Sequence, residues 1–230
     1  VQRNRDLVPG AGFGLETSAH EETAMTNTDR PQLYLLTPTE IELSDFPGKL
    51  AAALDAVEIA CVRLCLATRD EDRIARAADA CREVAHARDV PLLIENHFRM
   101  VERLGLDGVH LTDGARSVRK VRKELDKEAV VGAFCGASHH DGMTAGEAGA
   151  DYIAFGPLTA GLTGDGTVAE RETFEWWSQV IELPVVAEGG LTPEVIADLA
   201  PVTDFFALGD EVWATADPLA TLKTINGLLG

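Results

Sequence analysis

The sequence predicts a single-domain α/β fold of the (β/α)₈ TIM-barrel class over residues 31–230. From Gln32 onward, short apolar runs rich in β-branched residues alternate with longer segments of helical period. The alternation occurs eight times, which is the number of strand and helix units in such a barrel. The loop after the first run, residues 37–40, lacks the glycine-rich turn that a dinucleotide-binding open sheet carries there. A doubly wound open sheet is therefore the weaker alternative.

The predicted strands are the apolar, β-branched runs bounded by turn residues. In chain order they span residues 32–36, 59–64, 92–94, 108–111, 130–133, 152–155, 184–187 and 204–208. Each is followed by a segment of helical period, and these helices are predicted at 49–56, 71–87, 98–104, 117–125, 143–148, 174–180, 192–199 and 218–228. The start at 192 is the clearest, because Thr192 suits an N-cap and Pro193 the first helical position.

Composition and charge limit the classes of partner. The chain is 46% apolar and 25% charged, which is typical of one globular domain with a full core. Its net charge of −18 repels phosphate backbones and anionic lipids, so we expect neither nucleic acid nor a membrane as partner. Residues 1–30 lack a sustained apolar period and are predicted to be a disordered N-terminal extension. Without a signal-peptide core in them, a cytoplasmic protein with reduced cysteines is expected.

Glycines follow the last two predicted strands. Gly189 and Gly190 come after the seventh strand and Gly209 after the eighth, where barrels often bind phosphate through backbone N–H groups. The alternative is that Gly189 and Gly190 only form a tight turn. Asp210 and Glu211 oppose phosphate binding, because carboxylates repel it. We expect this end of the barrel to favour a neutral or cationic heterocycle, or a phosphate ester bound with a divalent ion.

Polar side chains also follow the third and fourth predicted strands. Glu95, Asn96 and His97 come after the third strand, and Asp113 lies in the loop after the fourth. A carboxylate, an amide and an imidazole at neighbouring strand ends suit either a hard metal ion or general acid and base chemistry. The alternative is a polar rim without a role, since exposed polar groups are usual in loops.

Several strings, in this order and spacing, are those of a known family. They are PQLYLLT at 31–37, GVHL at 108–111, AGADYI at 148–153 with FGP at 155–157, and PVVA at 184–187 with the paired glycines. The chain resembles the thiamine phosphate synthase/thiazole tautomerase family from Pro31 almost to its C-terminus. The resemblance implies a (β/α)₈ fold and a transferase that joins a pyrimidine diphosphate to a thiazole phosphate with Mg²⁺, so the implied partners are phosphorylated heterocycles.

The family's basic positions are altered in this chain. In the family pattern V-Q-L-R-E-K, the arginine and lysine that bind diphosphate correspond to Cys65 and Ala67. Arg63, in the same strand, remains the main candidate cation for substrate binding. In the family pattern P-T-x-T-K, Thr163 retains a substrate-binding threonine while the lysine is lost. The phosphate-binding serine after the eighth strand corresponds to Asp210.

The family's acidic positions are altered too. Its N-D-R motif corresponds to Glu95, Asn96 and His97, and its second magnesium ligand falls on Ala115. The resemblance therefore leaves Glu95 and Asp113 as the carboxylates for Mg²⁺, and Glu95, Asn96, His97 and Asp113 as the candidate catalytic residues. Because these positions differ from the family pattern, weak or absent synthase activity is expected.

Two other functions stay open. The family's tautomerase branch uses a histidine after the fifth strand, which corresponds to Ala137, so a tautomerase or other diverged isomerase or lyase would need a remodelled loop. A non-catalytic small-molecule-binding protein is the third hypothesis. A homo-oligomer is compatible with each of the three.

Overall fold

The computed structural model describes residues 30–160 and 166–230, and it confirms the predicted single-domain (β/α)₈ barrel. Eight parallel strands close in chain order, with β8 paired to β1. The strands are β1 (Gln32–Leu36), β2 (Cys61–Leu64), β3 (Leu92–Glu95), β4 (Gly108–Leu111), β5 (Val130–Phe134), β6 (Tyr152–Phe155), β7 (Val185–Glu188) and β8 (Phe205–Leu208).

Strands β1, β4 and β6 have the predicted bounds, and the other five differ by one or two residues. Two of these differences affect the barrel mouth. Strand β3 ends at Glu95, which pairs with His110, and β7 ends at Glu188, which pairs with Ala207. Their ladder partners keep these carboxylates within the sheet instead of in the following loops. Both side chains therefore start from rigid backbone at the C-terminal end of the barrel.

Helices surround the barrel, largely as predicted. They are α1 (Phe46–Ala56), α2 (Glu71–His86), α3 (Val101–Leu104), α4 (Val118–Glu124), α5 (His139–Ala148), α6 (Arg171–Val180), α7 (Pro193–Leu199), α8 (Asp210–Trp213) and α9 (Pro218–Leu228), with a 3₁₀ turn at Phe98–Met100. Helix α5 begins four residues earlier than predicted because the Ser138 hydroxyl accepts a hydrogen bond from the Asp141 N–H at 3.1 Å. Helix α8 was not predicted.

The apolar core has two layers, as the alternation of strand side chains requires. The larger layer lies between the sheet and the helices, where Trp177 is buried and donates from Nε1 to the Leu183 carbonyl at 2.8 Å. The smaller layer fills the barrel interior; its buried members are Tyr34, Cys61, Leu93, Val130, Tyr152, Ala154, Val186, Phe205 and Ala207. Polar atoms within this inner layer therefore face one another at the centre of the barrel.

The described chain begins at Arg30, whose guanidinium donates to the carbonyl and side-chain oxygens of Asn226 at 2.6 and 2.8 Å. Residues 1–29 lie outside the described residues, so the disordered extension stays a prediction. Thr163 also lies outside them. Among the helices that the structure describes, none is long and apolar enough to cross a membrane.

Candidate functional site

A chain of three hydrogen-bonded rings crosses the barrel interior. The hydroxyl groups of Tyr34 and Tyr152 are 2.8 Å apart, and the Tyr152 hydroxyl is 2.8 Å from Nδ1 of His110. All three side chains are fully buried. Gly132 makes room for this arrangement, since a Cβ atom there would lie 2.0 Å from Cζ of Tyr152. The ring chain is therefore fixed by packing as well as by hydrogen bonds.

Arg63 lies above this ring chain and is held by acidic and sulfur partners. Its guanidinium pairs with the Glu188 carboxylate in a bidentate manner, with Nη1 to Oε2 at 3.1 Å and a second contact from Nη2 to Oε1. Its Nε donates to Sγ of Cys65 at 3.2 Å and lies 3.8 Å from Oε2 of Glu95. The guanidinium carbon is 5.7 Å from the centre of the Tyr34 ring. The predicted substrate-binding cation is thus a buried, already paired cation.

Burial and this ion pair set the charge states at the centre. Burial opposes the charge of Arg63, but Glu188, Cys65 and Tyr34 together raise the pKa of its guanidinium well above the ordinary value. Burial, and then the positive charge of Arg63, lower the pKa of His110 well below its ordinary value. Burial raises the pKa of the Cys65 thiol to about 12. Arg63 is therefore charged, and His110 and Cys65 are neutral.

The two ring nitrogens of His110 differ in their contacts. Nε2 of His110 is buried and has no hydrogen-bond partner among the residues that the structure describes. It lies 3.9 Å from Oε2 of Glu188, which is too far for a hydrogen bond. A buried polar atom without a partner is costly unless something fills the role. A polar group of a ligand placed beside both atoms would hydrogen-bond with His110 and Glu188.

The residues predicted on the third and fourth loops form a separate network. The Asn96 side chain exchanges hydrogen bonds with Thr112, donating from Nδ2 to Oγ1 at 2.9 Å and accepting from the Thr112 N–H at 3.0 Å. The Asp113 carboxylate accepts a hydrogen bond from the Ser117 hydroxyl at 2.6 Å. His97 begins the 3₁₀ turn, where its N–H donates to the Glu95 carbonyl. Of these residues, Glu95 is the one that reaches the Arg63 cluster.

Both predicted magnesium ligands have contacts of their own in this structure. The resemblance implies Mg²⁺, and Glu95 and Asp113 are its predicted ligands. Glu95 lies beside the Arg63 guanidinium, and Asp113 is hydrogen-bonded to Ser117 on its own loop. Within residues 30–160 and 166–230, no group of three or more His, Cys, Asp or Glu side chains is arranged to hold a metal ion.

The predicted phosphate loops meet around one of the chain's own carboxylates. Glu211 accepts hydrogen bonds from the N–H groups of Gly190 at 3.0 Å and Leu191 at 3.2 Å through Oε1, and from the Gly209 N–H at 3.0 Å through Oε2. Asp210, the predicted substrate-binding residue next to it, is exposed. The sequence offered no signal for this role of Glu211, because a carboxylate beside a glycine loop is read as repulsive to phosphate.

A cavity of about 640 Å³ opens beside the loops after β1 and β2. Its lining includes Ala67 and two exposed arginines on the first turns of α2, Arg73 and Arg76. Sequence reasoning missed these arginines because they lie on a helix rather than in a loop that follows a strand. They bring positive charge near the two positions, Cys65 and Ala67, where the family pattern has its own cations.

Comparison with known proteins identifies the family. The family model described as thiamine monophosphate synthase matches residues 33–208. The chain belongs to this family. It is 37% identical over 201 residues to the thiamine-phosphate synthase of Rhodospirillum centenum, covering 86% of this chain and 97% of that protein. It is 38% identical over 197 residues to the thiamine-phosphate synthase of Erythrobacter litoralis, covering 83% of this chain and 92% of that protein. These matches confirm the prediction of a thiamine phosphate synthase-like protein.

A solved structure gives the same fold. Thiamine phosphate pyrophosphorylase from Pyrococcus furiosus superposes with a TM-score of 0.74 at 18% identity, covering 88% of this chain and 98% of that chain. At this identity the likeness shows the shared barrel alone. Family and fold are therefore confirmed, whereas the roles assigned to individual residues stay predictions, namely those of Arg63, Glu95, Asn96, His97, Asp113, Thr163, Gly189, Gly190, Gly209 and Asp210.

Proposed function

We propose that this chain binds a pyrimidine diphosphate and a thiazole in the mouth of its barrel and joins them slowly, as a thiamine phosphate synthase-like transferase. The observation that carries the proposal is Nε2 of buried His110, which lacks a hydrogen-bond partner among the described residues and lies beside the Glu188 carboxylate. An aminopyrimidine presents an amino group next to a ring nitrogen. Its amino N–H suits Glu188, and its ring nitrogen suits a neutral imidazole N–H on His110.

The reaction forms one bond and breaks one. The thiazole nitrogen attacks the exocyclic methylene carbon of the pyrimidine, and the bond from that carbon to the diphosphate oxygen breaks. The diphosphate leaves with the electron pair, so the rate depends on groups that stabilise its negative charge. Arg63 contributes little here, because Glu188 already neutralises it. Cys65 and Ala67 contribute no charge, which is why we expect slow transfer.

Two arginines are the best placed to receive the diphosphate. Arg73 and Arg76 line the cavity that also contains Ala67, and their long side chains reach into open solvent. An exposed guanidinium binds phosphate oxygens but holds them less rigidly than a buried one. We expect any Mg²⁺ in the reaction to be carried largely by the diphosphate oxygens, because Glu95 lies beside Arg63 and Asp113 is hydrogen-bonded to Ser117.

The direct experiment measures turnover and binding together. Purified protein is incubated with the pyrimidine diphosphate and each thiazole, phosphorylated or not, with and without Mg²⁺, and the coupled product is separated by chromatography. We expect turnover at least about 10²-fold below that of a synthase with the complete motif. Calorimetry with the pyrimidine diphosphate should show binding that Glu188→Gln weakens. Absence of binding to either precursor would contradict the proposal, and robust Mg²⁺-dependent turnover would contradict the argument from the lost cations.

A second candidate is proton transfer by the same cluster. The neutral His110 imidazole connects through Tyr152 to Tyr34, which suits an isomerase that moves a proton at Nε2. His139 and His140 are less suited, because both are exposed at the start of α5 and His139 packs on Trp176, with ring centres 4.9 Å apart. Deuterium uptake by a thiazole carboxylate substrate, lost in His110→Gln, would favour this candidate. Ligand binding without turnover would favour the non-catalytic hypothesis.

We propose a cytoplasmic protein whose partners are small molecules. Its net charge of −18 supports the further proposal that it does not bind nucleic acid. A homo-oligomer is part of this proposal, and sedimentation of the purified protein tests it.

A further inference from the structure

We infer that Glu211 takes the place of a substrate phosphate, so that this barrel mouth accepts a thiazole with a free hydroxyl group in preference to a thiazole phosphate. The inference rests on the proposed function, because it states which form of the thiazole precursor the site binds. Charge alone predicts that Asp210 and Glu211 both oppose phosphate, whereas the contacts of Glu211 place its carboxylate on the loop N–H donors themselves.

The contacts of Glu211 are those of a bound anion. Its two carboxylate oxygens accept three backbone N–H groups, from Gly190, Leu191 and Gly209. These donors belong to two separate loops, which follow β7 and β8. Convergent backbone N–H groups of this kind are how barrels bind phosphate at this corner. In this chain, all three donors are already bound to a side chain.

The loop after β7 has a defined shape around the carboxylate. Gly189 and Gly190 have φ angles of +87° and +76°, in the left-handed region that favours glycine. The Leu158 N–H donates to the Gly189 carbonyl at 2.8 Å, and the Leu191 side chain is buried. The two glycines and these flanking contacts therefore fix the direction in which the N–H groups of the loop point. The Glu211 carboxylate occupies the position to which they point.

The position of Glu211 is fixed from its own side as well. It lies in the short helix α8, where the N–H groups of Val212 and Trp213 donate to the Gly209 carbonyl at 2.9 and 3.0 Å. The Trp213 indole donates to the Leu36 carbonyl at 2.6 Å, and its ring packs on Phe46 with ring centres 5.2 Å apart. The backbone beneath Glu211 is thus tied to β1 and α1.

These contacts change which ligand group the corner formed by the N–H groups of Gly190, Leu191 and Gly209 can recognise, from an anion to a hydrogen-bond donor. A phosphate ester needs the same three N–H donors, and in a partly buried site a second anion beside the Glu211 carboxylate is strongly repelled. A hydroxyl group is uncharged and donates a hydrogen bond, which a carboxylate oxygen accepts through a remaining lone pair. The corner is therefore complementary to a hydroxyethyl group and not to its phosphate ester.

The experiment measures affinity rather than turnover. Calorimetry is performed with hydroxyethyl thiazole, its phosphate ester and inorganic phosphate, on the wild-type protein, Glu211→Ser and Asp210→Ser. The wild-type protein should bind the alcohol at least about tenfold more tightly than the ester. Glu211→Ser should reverse this order and gain inorganic phosphate binding. Asp210→Ser removes the same charge from the same short helix but leaves the three N–H donors occupied, so the preference for the alcohol should persist.

Inorganic phosphate also tests whether the Glu211→Ser variant folds. If Glu211→Ser exposes an anion site, inorganic phosphate should raise its melting temperature and leave that of the wild-type protein unchanged. Glu211→Gln, which keeps a hydrogen-bond acceptor of the same length, is the variant to use if the serine variant does not fold. It should bind the ester more tightly than the wild-type protein does.

Two results would overturn the inference. One is wild-type protein that binds the ester as tightly as the alcohol, which would mean that Glu211 moves aside for phosphate. The other is a folded Glu211 variant with no gain in affinity for phosphate or the ester. Failure of the proposed function is distinguishable, because the wild-type protein would then bind neither thiazole nor the pyrimidine diphosphate. Phosphate binding by Glu211→Ser would support the replacement of phosphate by Glu211 even in that case.

Discussion

Arg63 and Glu188 form a bidentate ion pair across the barrel, from strand β2 to the last residue of strand β7. Arg63 is 1% exposed, whereas the Glu188 side chain is 18% exposed and borders the mouth. The pair therefore places a charged group in the interior without leaving net charge at the centre. Its acidic partner is the side chain that a ligand in the mouth would meet.

The first prediction concerns the stability of this pair. Arg63→Leu leaves the Glu188 carboxylate without its cation, and Glu188→Leu removes the bidentate partner of the buried guanidinium and leaves it with the longer contact to Glu95, at 3.8 Å. Each single change should lower the free energy of unfolding by about 3 kcal/mol, measured by urea denaturation, because removing one partner of a buried pair is strongly destabilising. The double variant should lose less than the sum of the two. Additive losses would show that the two residues stabilise the fold independently.

The second prediction concerns the pH dependence of stability. The pKa of His110 in the folded protein is well below its ordinary value, so the unfolded chain binds a proton near pH 6.5 that the folded protein does not bind. Stability from this residue is present above pH 6.5 and is lost as the pH falls below it. Between pH 7.5 and 5.5 the loss should be about 1.4 kcal/mol.

The matched variant for this measurement is His110→Gln. Subtracting its unfolding free energy from that of the wild-type protein at each pH removes the contribution of every other titrating group. The difference between the two proteins should shrink as the pH falls. A difference that stays constant from pH 7.5 to 5.5 would contradict the assignment of a neutral His110 in the folded protein.

The third prediction concerns the four cysteines. All are buried and free, and burial raises the pKa of the Cys65, Cys81 and Cys135 thiols to about 12 and that of Cys61 further. Thiolates are the reactive form, so the folded protein should react with a thiol reagent at pH 8 only as fast as it opens. Complete reaction should follow in denaturant. A rapid phase with the folded protein would show that one thiol is exposed.

The fourth prediction tests the packing of the ring chain. Gly132→Ala places a methyl group 2.0 Å from Cζ of Tyr152, which must move and so lose its hydrogen bond to His110. We expect a loss of about 3 kcal/mol or more in unfolding free energy. The control is Gly48→Ala in helix α1, where nothing lies within 4 Å of the new methyl group. That change should be neutral or stabilising, by up to about 1 kcal/mol.

The fifth prediction tests the proposed diphosphate position. Replacing Arg73 and Arg76 together with alanine should weaken binding of inorganic diphosphate by about tenfold, since each guanidinium offers a charge-assisted hydrogen bond. The control is Arg88→Ala. Arg88 lies just past the C-terminal end of α2, whereas Arg73 and Arg76 lie near its start, and it pairs with Asp55. That variant should bind diphosphate as the wild-type protein does. Unchanged affinity of the double variant would place the diphosphate elsewhere.

The local pattern of apolar residues along the sequence was sufficient to predict the fold. The eight apolar runs became the eight strands because a strand buried on both faces reads as a continuous β-branched run. Apart from the short helix α8, which was missed, the errors lie at element ends, where a single cap or ladder pair decides. Ser138 begins α5 earlier than the apolar period indicates, and Glu95 and Glu188 belong to strands although a carboxylate usually marks a loop.

The candidate site was predictable only in part. The sequence located Arg63 in the second strand and Glu95 in the loop directly after the third, because the polar ends of barrel strands meet at one face. It did not reveal Glu188, which looked like part of the glycine loop, or His110, whose position within an apolar run GVHL resembles an ordinary buried residue. Neither carries a local signal of the ion pair or of the ring chain.

The sequence by itself determined the barrel, the family and the loss of the cations at Cys65 and Ala67, because these depend on residue order along the chain. Only the tertiary structure decided what the remaining polar groups do. Arg63 and Glu188 are 125 residues apart, and the Glu211 carboxylate binds N–H groups some twenty residues away, so each contact exists only once the barrel closes. Charge alone predicted repulsion of phosphate at the last two loops, whereas geometry made one carboxylate an acceptor for their backbone N–H groups.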